Sequence, residues 1–245
     1  MDSGYYAACT ALVARTQALD TIANNLANAS TVGYRAQHNV FSSVLAQAGG
    51  APDSDLNQAI NNYGILSGTT LDETQGALQK TGNDLDLAVQ GSGFFVVQTA
   101  NGPMYTRDGS FQVSSKGQLI TSSGDPVMGD KGIISMPPGT VSISTDGTIS
   151  SNGAVAGKLK LVNFTAGTVL TSAGQTYYSA PPKSEIAATD STVKQGMLES
   201  SNVNPITSMV ELITAQRSAE MMQRELSMYS SEMDKTATQE LPKVG

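Results

Sequence analysis

The chain has 245 residues, 39% of them hydrophobic, enough for one large or two small domains with a buried core. Only 14% are charged and the balance is acidic, with a net charge of −7, where an ordinary soluble domain carries about 25% charged residues. No run of Lys and Arg and no basic and aromatic interleaving is present, so nucleic acid is not expected as a partner; no apolar stretch reaches about 18 residues, so no membrane span is expected.

The first segment, residues 5–28, reads as a helix. Leu12, Leu19 and Leu26 repeat every seven positions, Ile22 falls between the last two, and the alanines around them keep the helix thin enough for close packing. Met1 to Ala8 lacks a basic segment followed by an apolar core, so no cleaved secretory signal is expected. Cys9 is the only cysteine, which rules out an intramolecular disulfide and fits a small thiol packed within the helix. Asn24, Asn25 and Asn28 are mediocre helix formers beside a leucine that must be buried. They read as amides that bond across a helix interface and fix its register, with a frayed last turn as the alternative. Asn28, Ser30, Thr31 and Gly33 then end the helix.

Residues 36–80 are polar and punctuated by glycine and proline, as in a linker or an extended hairpin. From about Thr81 to Thr192 the hydrophobic period becomes two, which predicts antiparallel strands. Asn101-Gly102, Asp108-Gly109, Asp146-Gly147 and Asn152-Gly153 are hairpin dipeptides, and Lys116-Gly117 marks a further turn. Leu159, Leu161, Val162 and Phe164 form a late strand, and Pro181-Pro182 an exit.

From Asn204 to about Lys235 a second long helix is predicted, with Asn204 as N-cap and Pro205 in the first helical position. Leu212, Ala215, Ala219, Met222, Leu226, Tyr229 and Met233 recur at alternating steps of three and four, a coiled-coil seam. Ile206, Met209, Val210 and Ile213 form a second stripe around the cylinder, so the first half of this helix is expected to be contacted on two sides. Roughly thirty residues make a rod of about 45 Å, which needs helical partners.

Nothing assembles into a catalytic site. His38 is the only histidine, which nearly excludes a Ser-His-Asp or Cys-His arrangement and a histidine-rich metal centre. Gly91-Ser92-Gly93 lacks the spacing of a nucleophile elbow or a dinucleotide loop, and Asp84 with Asp86 lacks the rest of a calcium loop and reads as a solvated strand edge. No catalytic residues, cofactor or metal are therefore assigned.

Three blocks carry a resemblance. Ile22-Ala-Asn-Asn-Leu-Ala-Asn28, with Thr31-Val-Gly33-Tyr34-Arg35, is similar to the N-terminal signature of the flagellar rod and hook proteins, whose turn comprises Thr31, Gly33 and Tyr34. Gly196-Met-Leu-Glu199-Ser-Ser-Asn202-Val-Asn204 and Met209-Val-Glu-Leu-Ile213-Thr-Ala-Gln216-Arg217 resemble the C-terminal signature of that family. Leu85 to Gln90, Gly93-Phe94-Phe95 and Tyr105 to Phe111 resemble its shared β-domain. Within the family the proximal rod members are most similar and the distal rod members next; a hook protein would need a longer middle for its outer domain.

The resemblance implies a structural subunit of the basal-body rod in the periplasmic space. It also implies partners that are other copies and sister rod proteins, export without cleavage through the flagellar type III apparatus, and transmission of motor torque to the hook. Phe41-Ser-Ser-Val-Leu45 is similar to the segment by which early flagellar substrates engage the export gate. The expected fold is α+β, with N- and C-terminal helices forming a coiled-coil-like helical domain and an antiparallel β-domain inserted between them. The expected bounds are 1–30 and 196–237 for the helical parts, 31–80 for the linker, 81–195 for the β-domain and 238–245 for a tail. Assembly is expected through Leu12, Leu19, Ile22, Asn24, Asn25, Leu26 and Asn28 on the first helix, and through the seam and second stripe on the last.

Overall fold

Residues 2–42, 65–174 and 176–235 are described by the structure, a computed structural model. Helix α1 (Asp2–Ala27) is followed by β1 (Gln37–Ser42), β2 (Ile65–Leu71), β3 (Leu78–Lys80), β4 (Leu87–Gln90), β5 (Phe94–Thr99) and β6 (Gly102–Thr106). Short strands come next: β7 (Gln112–Val113), β8 (Leu119–Ile120), β9 (Met128–Gly129), β10 (Gly132–Ile133), β11 (Val141–Ile143), β12 (Thr148–Ser151), β13 (Ala154–Lys158) and β14 (Leu161–Phe164). Then come β15 (Thr171–Ser172), β16 (Tyr177–Ser179), β17 (Glu185–Ala187), β18 (Thr192–Gln195), β19 (Met197–Glu199) and helix α2 (Pro205–Lys235). The chain divides into two compact units, one holding residues 1–26, 38–69 and 205–245, the other Ala27–Gln37 and Thr70–Asn204.

The second unit is built on a six-stranded sheet in the order β15-β16-β6-β5-β14-β17. Its centre is the β5–β6 hairpin, closed at Asn101-Gly102 with Gly102 at φ 109 and in register from Phe95↔Thr106 to Thr99↔Gly102. Strand β5 opens with Phe94-Phe95-Val96-Val97, four buried residues in succession. Because strand side chains alternate, this run serves two faces at once, so β5 must be covered on both sides. Phe95 and Val97 pack with Leu87, Val89, Phe111, Leu119, Val127 and Ile149 in one cluster. Phe94 and Val96 pack with Tyr105, Val162, Phe164, Leu170 and Tyr178 in another. Edge-to-face rings join each cluster, Phe95 to Phe111 at 5.0 Å and Tyr105 to Phe164 at 4.8 Å between centroids.

Three of the four hairpin dipeptides turn as their residues demand. Asn152 and Gly153, at φ 49 and 82, close β12 onto β13, and Gly147, at φ 83, closes β11 onto β12. Asp108-Gly109 does not. Gly109 lacks positive φ and serves close approach, because a Cβ there would overlap the carbonyl oxygen of Leu87. Asp86 likewise departs from the solvated edge expected for it, being buried with its carboxylate accepting from Asn83 Nδ2 at 3.0 Å.

The expected coiled-coil-like helical domain is not what forms. Among the described residues there are two helices, one towards each end, and the chain is mostly antiparallel β. A coiled-coil seam needs bulky knobs seated in the holes of a facing helix. Of the apolar side chains described on α1 and α2, only Ala14 and Ala219 are buried, and alanine is too small for a knob. Among the described residues, the hydrophobic clusters of buried residues fall within 27–204 instead.

Candidate functional site

Two features stand out: the faces of the helices, and a buried charged cluster where the three similar blocks meet. On α1, Leu12, Leu19, Ile22 and Leu26 are half-buried, Asn25 is buried and Asn28 half-buried, while Asn24 is exposed and donates to its own helix at Asp20 O, 2.8 Å away. On α2, Leu212, Ala215, Met222 and Leu226 are half-buried and Ala219 is buried. The second stripe is open, with Ile206 76%, Val210 60% and Ile213 52% exposed and Met209 beside them exposed too. The side chains of Phe41, Tyr229 and Met233, and all of Leu45, lie outside the described residues, as does the tail 238–245.

The signature turn follows α1 directly. Thr31 donates through both its N–H and its hydroxyl to Asn28, each at 3.1 Å, and Gly33 at φ 69 swings the chain away. A Cβ at Gly33 would overlap the peptide joining Arg107 to Asp108, so only glycine lets the turn sit against β6. Gly33 N–H donates to Glu199 O at 2.7 Å, tying the first block to the last. Tyr34 is buried with Ala36 and Val203, and Asn202 knits three stretches together: its Oδ1 accepts from Ala36 N–H at 2.7 Å, and its Nδ2 donates to the carbonyls of Asp72 and Thr74.

Behind this turn lie three charged side chains that the sequence reading left unassigned, Arg35, Arg107 and Glu199, exposed by only 1%, 2% and 1%. Glu199 stands between the arginines, with Oε1 2.8 Å from Arg35 Nη2 and Oε2 3.2 Å from Arg107 Nη1. Oε1 also accepts from Gly76 N–H at 2.9 Å. Arg107 donates further to Val89 O and Gly91 O, at 3.3 and 2.6 Å, and covers the Phe94 ring at 4.9 Å. Burial pushes its pKa down to about 10; Glu199 opposes that fall and Arg35 adds to it. The cluster holds no nucleophile and no general base, and both cations are buried, so it offers no catalytic chemistry.

Four tyrosines of the same unit give a measurable consequence. Burial raises Tyr178 to about 12 and also raises Tyr34, Tyr105 and Tyr177, the hydrogen bond and charge of Glu185 adding to the rise at Tyr105. The folded chain keeps these phenols neutral while the unfolded chain ionises them from about pH 10. Their contribution to stability is thus complete below pH 10 and is lost as pH climbs through the raised values. Absorbance titration at 295 nm should show at least four tyrosines, Tyr34, Tyr105, Tyr177 and Tyr178, ionising later in the native chain than in denaturant.

Open clefts of about 360 and 300 Å³ lie along β13, the first lined by Gly129–Ile134 and Val155–Lys158, the second reaching Ala187 and Ser191. Neither gathers a nucleophile with a base. Among the described residues no group of three or more His, Cys, Asp or Glu could hold a metal, and no helix is long and apolar enough to cross a membrane.

Comparison with known proteins gives these blocks a family. Residues 6–35 match the model for the flagella basal body rod protein, 88–155 that for the flagellar hook protein FlgE/F/G D1 domain, and 194–240 that for the flagellar basal body rod FlgEFG protein C-terminal. The flagellar basal-body rod protein FlgF of Caulobacter vibrioides is 33% identical over 248 residues, covering 100% of both chains. This chain belongs to the flagellar basal-body rod proteins. The FlgF of Salmonella typhimurium is 37% identical, covering 91% of this chain and 92% of the relative. A FlgG of Buchnera aphidicola is 34% identical, covering 92% and 95%. The chain is thus a structural rod protein similar to FlgF, with no better support for FlgG, and its place is the rod in the periplasmic space. Like the family at large it is not an enzyme, and its partners are other rod and hook proteins. Arg35 lies inside the first matched block, Arg107 inside the second and Glu199 inside the third, so the buried cluster joins all three.

Proposed function

We propose that this chain is a proximal rod subunit that assembles through its terminal helices, leaves the cell through the flagellar type III apparatus without cleavage, and passes torque towards the hook. The observation that carries this reading is the open stripe of α2. Ile206, Val210 and Ile213 stand on one side of the helix, each more than half exposed, and apolar side chains so arranged gain about 25 cal/mol for every Å² that a neighbour covers. The half-buried face at Leu212, Ala215, Met222 and Leu226, with Ala219, supplies a second contact, and Leu12, Leu19, Ile22, Asn25 and Leu26 supply one on α1. Heterologous contacts of this kind build an open helical filament when their rotation does not close. In this reading the chain is divided at 1–30, 31–80, 81–195, 196–237 and a tail 238–245, with the assembling helices in the first and fourth parts. Export engagement through Phe41 and Leu45 rests on resemblance alone.

Ile213→Asp tests the reading. The residue is already exposed, so the purified variant should melt within about 0.5 kcal/mol of the native chain, yet be missing from isolated basal bodies. Incorporation at native levels would remove the stripe from the assembly surface.

A further inference from the structure

We propose that the buried Arg35–Glu199–Arg107 cluster holds one small monovalent anion of the halide class, chloride under ordinary conditions, at the N–H groups of Arg35 that Glu199 leaves without an acceptor.

Charge and hydrogen bonding lead to the same conclusion independently. The cluster carries two guanidinium cations and one carboxylate, all exposed by 2% or less, and so one uncompensated positive charge in a closed interior. Glu73 reaches Arg107 through space but is itself exposed and screened by water. An uncompensated buried charge is strongly unfavourable, and real proteins pair it. The donors tell the same story. Arg35 Nε and Nη1 and Arg107 Nε are buried without an acceptor. Arg35 Nη2, though 2.8 Å from Glu199 Oε1, does not point its N–H groups at that oxygen. Buried arginine donors are nearly always satisfied.

A water molecule would accept from these donors but leave the charge. A halide does both, as an acceptor without a hydrogen that carries one negative charge. Sulfate or phosphate would bring a second negative charge that this cluster does not balance. The inference concerns the fold of the second unit and is independent of how the subunit assembles.

The test uses the full chain at constant pH and ionic strength, with sodium chloride or bromide replacing sodium gluconate. A halide at about five times its Kd should raise Tm by about 2–4 °C, saturably, and Arg35→Met should abolish the difference between salts. Equal melting in halide and gluconate overturns the proposal, as does a rise of the same size in Arg35→Met, which would mark an adventitious ion only. Should Arg35→Met fail to fold, crystals of the native chain grown in bromide decide the matter: anomalous density beside Arg35 supports the site, and a water or nothing there overturns it.

Discussion

Glu199→Ala is expected to cost the folded chain about 3–5 kcal/mol, the range for removing one partner from a buried ion pair. The carboxylate stands 2.8 Å from Arg35 and 3.2 Å from Arg107, and it is the acceptor for Gly76 N–H. Without it two cations face each other where solvent cannot reach, and a backbone donor loses its partner. Counting charges gives the sign of a control. Arg107→Met leaves Arg35 matched to Glu199 and removes the excess cation, so it should cost less than Glu199→Ala although it deletes a larger side chain with two carbonyl contacts. Urea unfolding followed by circular dichroism measures both. If Arg107→Met proved the more damaging, packing rather than charge would govern the cluster.

The ends of the helices were legible in the sequence because the signals there are local. Asn204 and Pro205 mark the start of α2 as read, and Gly33 takes the positive φ expected where the chain leaves α1. The hairpins at Asn101-Gly102 and Asn152-Gly153 were equally local. Asp108-Gly109 carried the same letters and does something else, because the nearness of Leu87 decides it and Leu87 is a distant residue in sequence. The coiled coil failed for a related reason. Spacing gives the face of a helix but not the bulk that would bury it, and Ala215 and Ala219 occupy two central seam positions. The charged cluster could not be read from spacing at all, since Arg35, Arg107 and Glu199 are separated by dozens of residues and meet only when the first turn, the chain just after β6, and β19 come together. Only Arg35 and Glu199 gave a signal, each the single charge within its stretch, Ile22 to Arg35 and Gly196 to Asn204, whereas Arg107 stands beside Asp108. Charges of opposite sign within otherwise apolar surroundings ask for each other.

Gly33→Ala should be among the most damaging single-methyl additions in the chain, at least about 3 kcal/mol, with the added carbon acting in two ways. First, φ at Gly33 is 69, a conformation that costs a residue bearing a Cβ about 1–2 kcal/mol. Second, that Cβ would overlap the backbone between Arg107 and Asp108, which a rotamer change cannot relieve because both groups are main chain. The turn must then lift from β6, stretching the 2.7 Å bond from Gly33 N–H to Glu199 O and pulling on Arg35 two residues later. Gly82 separates the two effects within the same unit. Its φ is 78, but a Cβ there meets nothing within 4 Å, so Gly82→Ala should lose only the conformational part, about 1–2 kcal/mol. With a urea m-value of about 2 kcal/mol per M, Gly33→Ala should shift the unfolding midpoint by more than about 1.5 M and Gly82→Ala by less than about 1 M. Equal shifts for the two variants would mean that the signature turn does not bear on β6, and that glycine stands at position 33 for its backbone freedom alone.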